Sequence, residues 1–170
     1  MRRRDGVPRV PTGMNVRLRD MHPGDELFLF ELYASTRSEE IAACGWTDAA
    51  GQAFLRQQFT AQQRSYAAAY PDADDRIVLI DAQPSGRLIV QRGAEAIRIV
   101  DIALLPGARN RGVGGRLVGD MMTEAAESRR AILLQVLRTN RAIRFYERLG
   151  FSHAGGDAVR LQMKWHPPGP

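Results

Sequence analysis

One stretch constrains this chain more than any other: Arg109 to Gly115, RNRGVGG, directly after the apolar run Ile97 to Pro106 and directly before the helical pattern Arg116 to Ser128. A strand that enters a glycine-rich turn and leaves it as a helix has its first helical amides without intrahelical partners, so the turn is an anion site. Gly112, Gly114 and Gly115 carry no Cβ and let a phosphate approach the main chain. The helix dipole adds partial positive charge, and Arg109, Arg111 and Arg116 add full charges around the same turn. A diphosphate is the simplest ligand. A dinucleotide fingerprint would need glycine where Leu117 stands, and a Walker A loop would need a Gly-Lys-Ser/Thr sequence that is absent, so nucleotide readings weaken.

Apolar spacing and turn residues divide the rest of the chain. Val16 to Asp20 alternates like a strand, and Pro23, Gly24 and Asp25 open a helix running to about Ser35 with Leu27, Phe28, Phe30, Leu32 and Tyr33 along it. Of these, Phe28, Phe30 and Leu32 are read as core. A short helix is predicted over Ser38 to Ala43, ending at Gly45, and Asp48 reads as the N-cap of a long helix from Ala49 to about Tyr70, stopped by Pro71. Arg76 to Asp81 reads as a strand, Gln83 to Gly86 as a turn and Arg87 to Gln91 as the hairpin partner. Ala96 to Leu105 reads as a central strand. Helices follow over Gly112 to Ser128 and Arg141 to Leu149, with a buried strand Ala131 to Leu137 between them. Strands near Phe151 to His153 and Ala158 to Trp165 close the pattern.

Arg109-x-x-Gly112-x-Gly114 resembles the acyl-CoA pyrophosphate loop of the GNAT superfamily of N-acetyltransferases. A second stretch, FYERLGF at Phe145 to Phe151, preceded by Asn140 and Ala142, is similar to the superfamily's next motif, where a helix carries a tyrosine facing the cofactor sulfur. The order β, α, α, β, β, β, α, β, α, β, β is the one that fold requires, so the resemblance covers residues 14 to 166. It implies an α/β (α+β) class: a mixed, mostly antiparallel central sheet of six to seven strands splayed between strands 4 and 5, flanked by about four to five helices. Residues 1–13 read as a disordered leader, with Met14 as an alternative start, 14–166 as a single acetyltransferase domain and 167–170 as a tail.

The chemistry implied is transfer of an acetyl group from acetyl-CoA to a primary amine of a small molecule or peptide, by direct attack on the thioester. Main-chain groups of Ile102, Ala103 and Leu104 would hold pantetheine. Arg109, Asn110, Arg111, Gly112, Val113, Gly114 and Gly115 would hold the pyrophosphate, with Val113 pointing into the core. Asparagine tolerates the left-handed backbone that the more usual glycine provides at position 110. Tyr146 would contact the cofactor and act as general acid toward the departing thiolate, and a backbone amide near Leu104 would receive the developing oxyanion. Asn140 would fix pantetheine or the helix start, although it stands one residue closer to Tyr146 than the family's asparagine often does and Thr139 occupies the usual place. The base stays open. Some members carry glutamate where this chain has Gln135; Asp101 is the nearest carboxylate in sequence, and Glu31, Glu39 and Glu40 are alternatives acting directly or through water. Tyr33, Glu39, Glu40 and Trp46 would line the acceptor site. The rival reading is a catalytically silent acyl-CoA-binding sensor.

Composition bounds the partners. With 170 residues and 44% apolar content the chain suits a soluble fold, and no stretch reaches membrane-spanning length, so no membrane association and a cytoplasmic location are expected. The net charge of +5 is concentrated in the leader, where Arg2, Arg3, Arg4 and Arg9 face only Asp5. What remains is too mild and scattered for nucleic acid. Cys44 has no partner for a disulfide, no metal is expected, and His22, His153 and His166 read as isolated. Family members are often dimers, so the resemblance admits a homodimer.

Overall fold

Where apolar alternation and helical spacing start and stop, the elements of the computed structural model do so too, within a residue or two at most boundaries. The structure describes residues 13–38, 41, 45 and 49–169. Their order is β1 (Val16–Asp20), a 3-10 turn (Pro23–Asp25), α1 (Glu26–Thr36), α2 (Ala49–Ala69), β2 (Asp74–Ile80), β3 (Gln83–Arg92) and β4 (Ala96–Leu104). There follow a 3-10 turn (Pro106–Ala108), α3 (Val113–Glu127), β5 (Ala131–Leu137), α4 (Ala142–Arg148), β6 (Ser152–Gly156) and β7 (Arg160–Trp165). Ser38 and Ile41 are helical, in keeping with the expected short helix, whose other positions, Cys44 and the Asp48 cap lie outside the described residues. No helix among the described residues is long and apolar enough to cross a membrane.

The strands form one seven-stranded sheet in the order β1-β2-β3-β4-β5-β7-β6. The pairs β1–β2, β5–β7 and β6–β7 are antiparallel, and β4–β5 is parallel. The parallel ladder runs from Ala96↔Ala131 to Ile99↔Leu134, leaving the second half of β4 outside it.

The β2–β3 connection departs from the sequence reading. Gln83 to Gly86, expected as the turn, already belongs to β3. The chain instead reverses at Asp81 and Ala82, both left-handed at φ 48° and 69°. Two consecutive positive φ values match the type I′ hairpin, which follows the twist of the strands but ordinarily needs Asn-Gly. Asp81 is held there from β1's side: Asn15 N donates to its carboxylate at 3.0 Å, and its own amide donates to Asn15 O at 2.9 Å.

Two compact units divide the chain, β3 and β4 each contributing to both. In the unit of Asn15–Ile89 and Asp101–Arg109, Leu29, Phe30, Leu55, Phe59 and Ile77 form the core. Phe30 meets Phe59 edge-on at 5.7 Å, and the Arg56 guanidinium lies over the Phe30 ring, 4.2 Å from its centroid. Leu27, placed along α1's apolar set from its sequence, is 69% exposed, and Leu29 is the buried residue. Arg19 grips Asp25 through two 2.7 Å hydrogen bonds, which hold that carboxyl at about 2. In the other unit, Val90–Val100 and the segment beginning at Asn110, Ile97, Ile132, Val113, Val118 and Met163 are fully buried, and α3 packs on β5. Glu124 is bound by both Arg92 and Arg130, and its carboxyl lies below the usual range chiefly because of the Arg92 hydrogen bond.

Candidate active site

The anion loop takes the form its residue types require. Asn110 is left-handed at φ 58°, and Gly112, the N-cap of α3, is left-handed at φ 78°. No side chain caps α3, so its first turn of amides is left to whatever occupies the loop. Val113 is fully buried and anchors the turn from below, as expected, while Arg111 and Arg116 stand near the solvent side of the loop. These features fit a diphosphate: backbone donors, a helix dipole and cations without a competing carboxylate cap.

Arg109 does something its sequence position did not disclose. Its Nε donates to Leu104 O at 2.8 Å, and Nη2 donates to Ser35 O and Ser35 Oγ at 3.3 and 3.2 Å. The side chain therefore ties the end of β4 to the end of α1. Gly86 lies against the same end of β4, where a Cβ would fall 2.5 Å from Ala103 O and 2.6 Å from Leu104 Cδ2. Only a glycine lets β3 run this close to Ala103 and Leu104.

Tyr146 sits in α4, 4% exposed, its ring edge-on to Phe145 at 5.1 Å and to Phe151 at 5.5 Å. The packing fixes the ring, and the Gly150 residue that follows the helix is left-handed at φ 91°, which ends α4 and turns Phe151 back onto the tyrosine. Asn140 Oδ1 accepts from Ala142 N at 2.9 Å, so its side chain braces the start of α4. Gln135 is exposed on β5, its Oε1 3.5 Å from Arg160 Nη1. His153, read as isolated, has its Nε2 2.9 Å from Glu147 Oε1.

Asp101 stands beside Ala103 on one face of β4, as the two-residue strand period requires, and both line a cavity of about 60 Å³ with Leu32, Tyr33, Gln63 and Arg87. Burial pushes the Asp101 carboxyl up to about 6; Arg87 and the Ile102 amide pull the other way, and Asp75 adds to the rise. A carboxyl poised there accepts a proton readily near neutrality. Tyr33 reaches the cavity from α1, its ring against Phe59 at 5.7 Å. Glu31 is exposed on α1, and Glu39, Glu40 and Trp46 lie outside the described residues.

A charged clamp borders this cavity that sequence reasoning missed. Arg87, 5% exposed, donates Nε to Asp75 Oδ1 at 2.8 Å, Nη2 to Asp75 Oδ2 at 2.5 Å and Nη1 to Gln63 Oε1 at 2.7 Å. The only signal available was an arginine leading into the buried run Leu88 to Val90, where a charge has no place unless paired.

Among known families, a model described as the Acetyltransferase (GNAT) domain matches residues 65–153. No sequence match is found among curated proteins. The fold is similar to the PaiA N-acetyltransferase of Thermoplasma acidophilum in complex with coenzyme A, with a TM-score of 0.67 at 15% identity over 89% of this chain and 99% of that one. It is also similar to a histone acetyltransferase HPA2-related acetyltransferase of Corynebacterium glutamicum, with a TM-score of 0.61, 19% identity and coverage of 91% and 98%. The ribosomal-protein-S18-alanine N-acetyltransferase of Escherichia coli gives a TM-score of 0.60, 15% identity and coverage of 89% and 94%.

Proposed function

Because the chain belongs to the GNAT acetyltransferase family, we propose that it transfers an acetyl group from acetyl-CoA to a primary amine of a small molecule or peptide. The observation that carries this reading is the uncapped N-terminus of α3 behind the left-handed Asn110 and Gly112 turn. Amides of Asn110 through Gly115 hold the pyrophosphate, with Arg111 adding charge, and main-chain groups of Ile102, Ala103 and Leu104 hold pantetheine. Arg109 serves that strand end by its bond to Leu104 O. Acetyl-CoA supplies the activated thioester.

The protein's own groups manage protons and charge. Asp101 takes the proton from the incoming ammonium, which frees the lone pair that attacks the thioester carbonyl. A backbone amide near Leu104 donates to the oxygen as charge builds there. Tyr146 gives its phenolic proton to the departing thiolate, and the second proton that the nitrogen sheds as the amide forms restores the phenol. Asp101 is the proposed base over Glu31, Glu39 and Glu40 because it lines a cavity and holds its proton up to about 6.

The experiment is thiol release from acetyl-CoA with a panel of amines, run on the wild type and on Tyr146→Phe and paired with calorimetry of CoA binding. Turnover that falls in Tyr146→Phe at unchanged CoA affinity supports the reading. Tight CoA binding with no turnover on any amine would favour the silent sensor, to which Gln135 in place of glutamate lends some support.

A further inference from the structure

Three hydrogen bonds from one exposed side chain join the two walls of the Asp101 cavity. Arg109 Nε donates to Leu104 O at 2.8 Å, and Nη2 donates to Ser35 O at 3.3 Å and to Ser35 Oγ at 3.2 Å. Chemistry fixes the roles within this contact. A guanidinium only donates, and the single hydroxyl proton of Ser35 goes to Leu32 O at 2.7 Å, so the Ser35 oxygen presents a lone pair to Arg109. Ser35 lies in the last turn of α1, where carbonyls outrun the helix's own amides and a cation suits the dipole. The same end of α1 brings Leu32, Tyr33 and Thr36 to the cavity, and β4 brings Asp101 and Ala103, the latter next to Leu104. All of these groups belong to the unit of Asn15–Ile89 and Asp101–Arg109.

Building on the acetyltransferase reading of this same site, we propose that Arg109 is a positioning residue for the acceptor amine: by tying the end of α1 to the end of β4 it sets the width of the cavity in which Asp101 meets the amine, and it is not a ligand of the pyrophosphate. The guanidinium is a rigid planar fork, so the donors that grip Leu104 O and Ser35 fix the separation between strand end and helix end. The cavity measures only about 60 Å³, so moving α1 by about 1 Å decides whether an amine reaches Asp101 at hydrogen-bond distance. Misplacement on that scale costs of the order of a hundredfold in rate. The place of Arg109 in the RNRGVGG turn put it beside the phosphates, yet these three bonds run to neutral oxygens on the acceptor side.

The test assays the full chain with acetyl-CoA and with S-acetylpantetheine, a donor without the pyrophosphate, against the best acceptor in the amine panel. Arg109→Ala is expected to raise KM for the amine and to lower kcat/KM at least roughly tenfold, by the same factor with either donor. Calorimetry should meanwhile give a CoA dissociation constant within about twofold of the wild type. Arg109→Lys keeps the charge without the fork and should behave as Arg109→Ala does. Ser35→Ala removes one acceptor of the same contact, so its loss should not add to that of Arg109→Ala in the double variant. Weakened CoA binding in Arg109→Ala at an unchanged amine KM, wild-type amine kinetics in Arg109→Lys, or additive losses in the double variant each overturns the proposal. No thiol release by the wild type with any amine would instead overturn the acetyltransferase reading. Hydrogen exchange of the Ser35 to Arg37 amides would then still decide the part of Arg109: faster exchange in Arg109→Ala at unchanged CoA affinity supports the tie, and unchanged exchange with weakened CoA binding overturns it.

Discussion

A carboxyl that stays protonated up to about 6 is out of balance with its unfolded state, which gives up the same proton near 3.8. Between those values the folded chain binds more protons than the unfolded one, so ionising Asp101 works against the fold: the cost is absent below 3.8, grows between the two and is complete above 6. The difference corresponds to at most about 3 kcal/mol. Asp101→Asn is therefore expected to stabilise the protein in denaturant titrations at pH 8, by less at pH 5 and hardly at all below pH 4, while abolishing acetyl transfer. The same titration should appear in catalysis as a kcat/KM limb rising with pH around 6, beneath the rise set by the amine itself. Asp75→Asn removes a charge that holds the Asp101 proton on, so it should move that limb to lower pH. An unshifted limb in Asp75→Asn would mean that another group is the base. Tyr146→Phe should lower kcat by about one hundredfold or more, within the range of general acid catalysis, and leave CoA affinity unchanged because the ring's packing against Phe145 and Phe151 is kept.

At the scale of elements, the two left-handed turns make opposite predictions. Ala82 adopts φ 69° without the freedom glycine would bring, so Ala82→Gly should stabilise the β2–β3 hairpin by roughly 1 kcal/mol, read as a shift in denaturation midpoint at constant slope. Gly112 at φ 78° caps α3 in the anion loop; Gly112→Val should weaken CoA binding at least about tenfold by calorimetry, since a β-branched residue resists that backbone and its side chain crowds the amides. These turns also mark where sequence is and is not informative. The RNRGVGG loop was legible because glycines and an asparagine advertise positive φ; β1 begins and ends where its alternation does, and β5 spans the run read as a buried strand. The Asp81–Ala82 reversal was not: Asp81 suits such a turn but Ala82 does not, and Asn15, from the segment leading into β1, holds Asp81 in place. The clamp was hidden for the same reason. Gln63 is one of several glutamines on a polar helix, and its pairing with Arg87 exists only once α2 and β3 have been brought together.

For the whole molecule, ligand and fold are linked by mass action. Coenzyme A at one hundred times its dissociation constant should add about 2.7 kcal/mol to the unfolding free energy, which for a chain of this size raises Tm by roughly 5–10 °C. Differential scanning calorimetry at several CoA concentrations checks this, and a Tm indifferent to CoA would contradict the loop assignment. Residues 1–12, which hold four arginines, lie outside the described residues, and removing residues 1–13 should leave the CoA-induced Tm rise intact. Placing a carboxyl where burial raises its pKa has a consequence for anyone who breeds this protein in the laboratory. Selection for heat resistance alone, at neutral pH, would reward exchanging Asp101 for its amide early, and the hardiest descendants would be the ones that had given up the proposed proton acceptor.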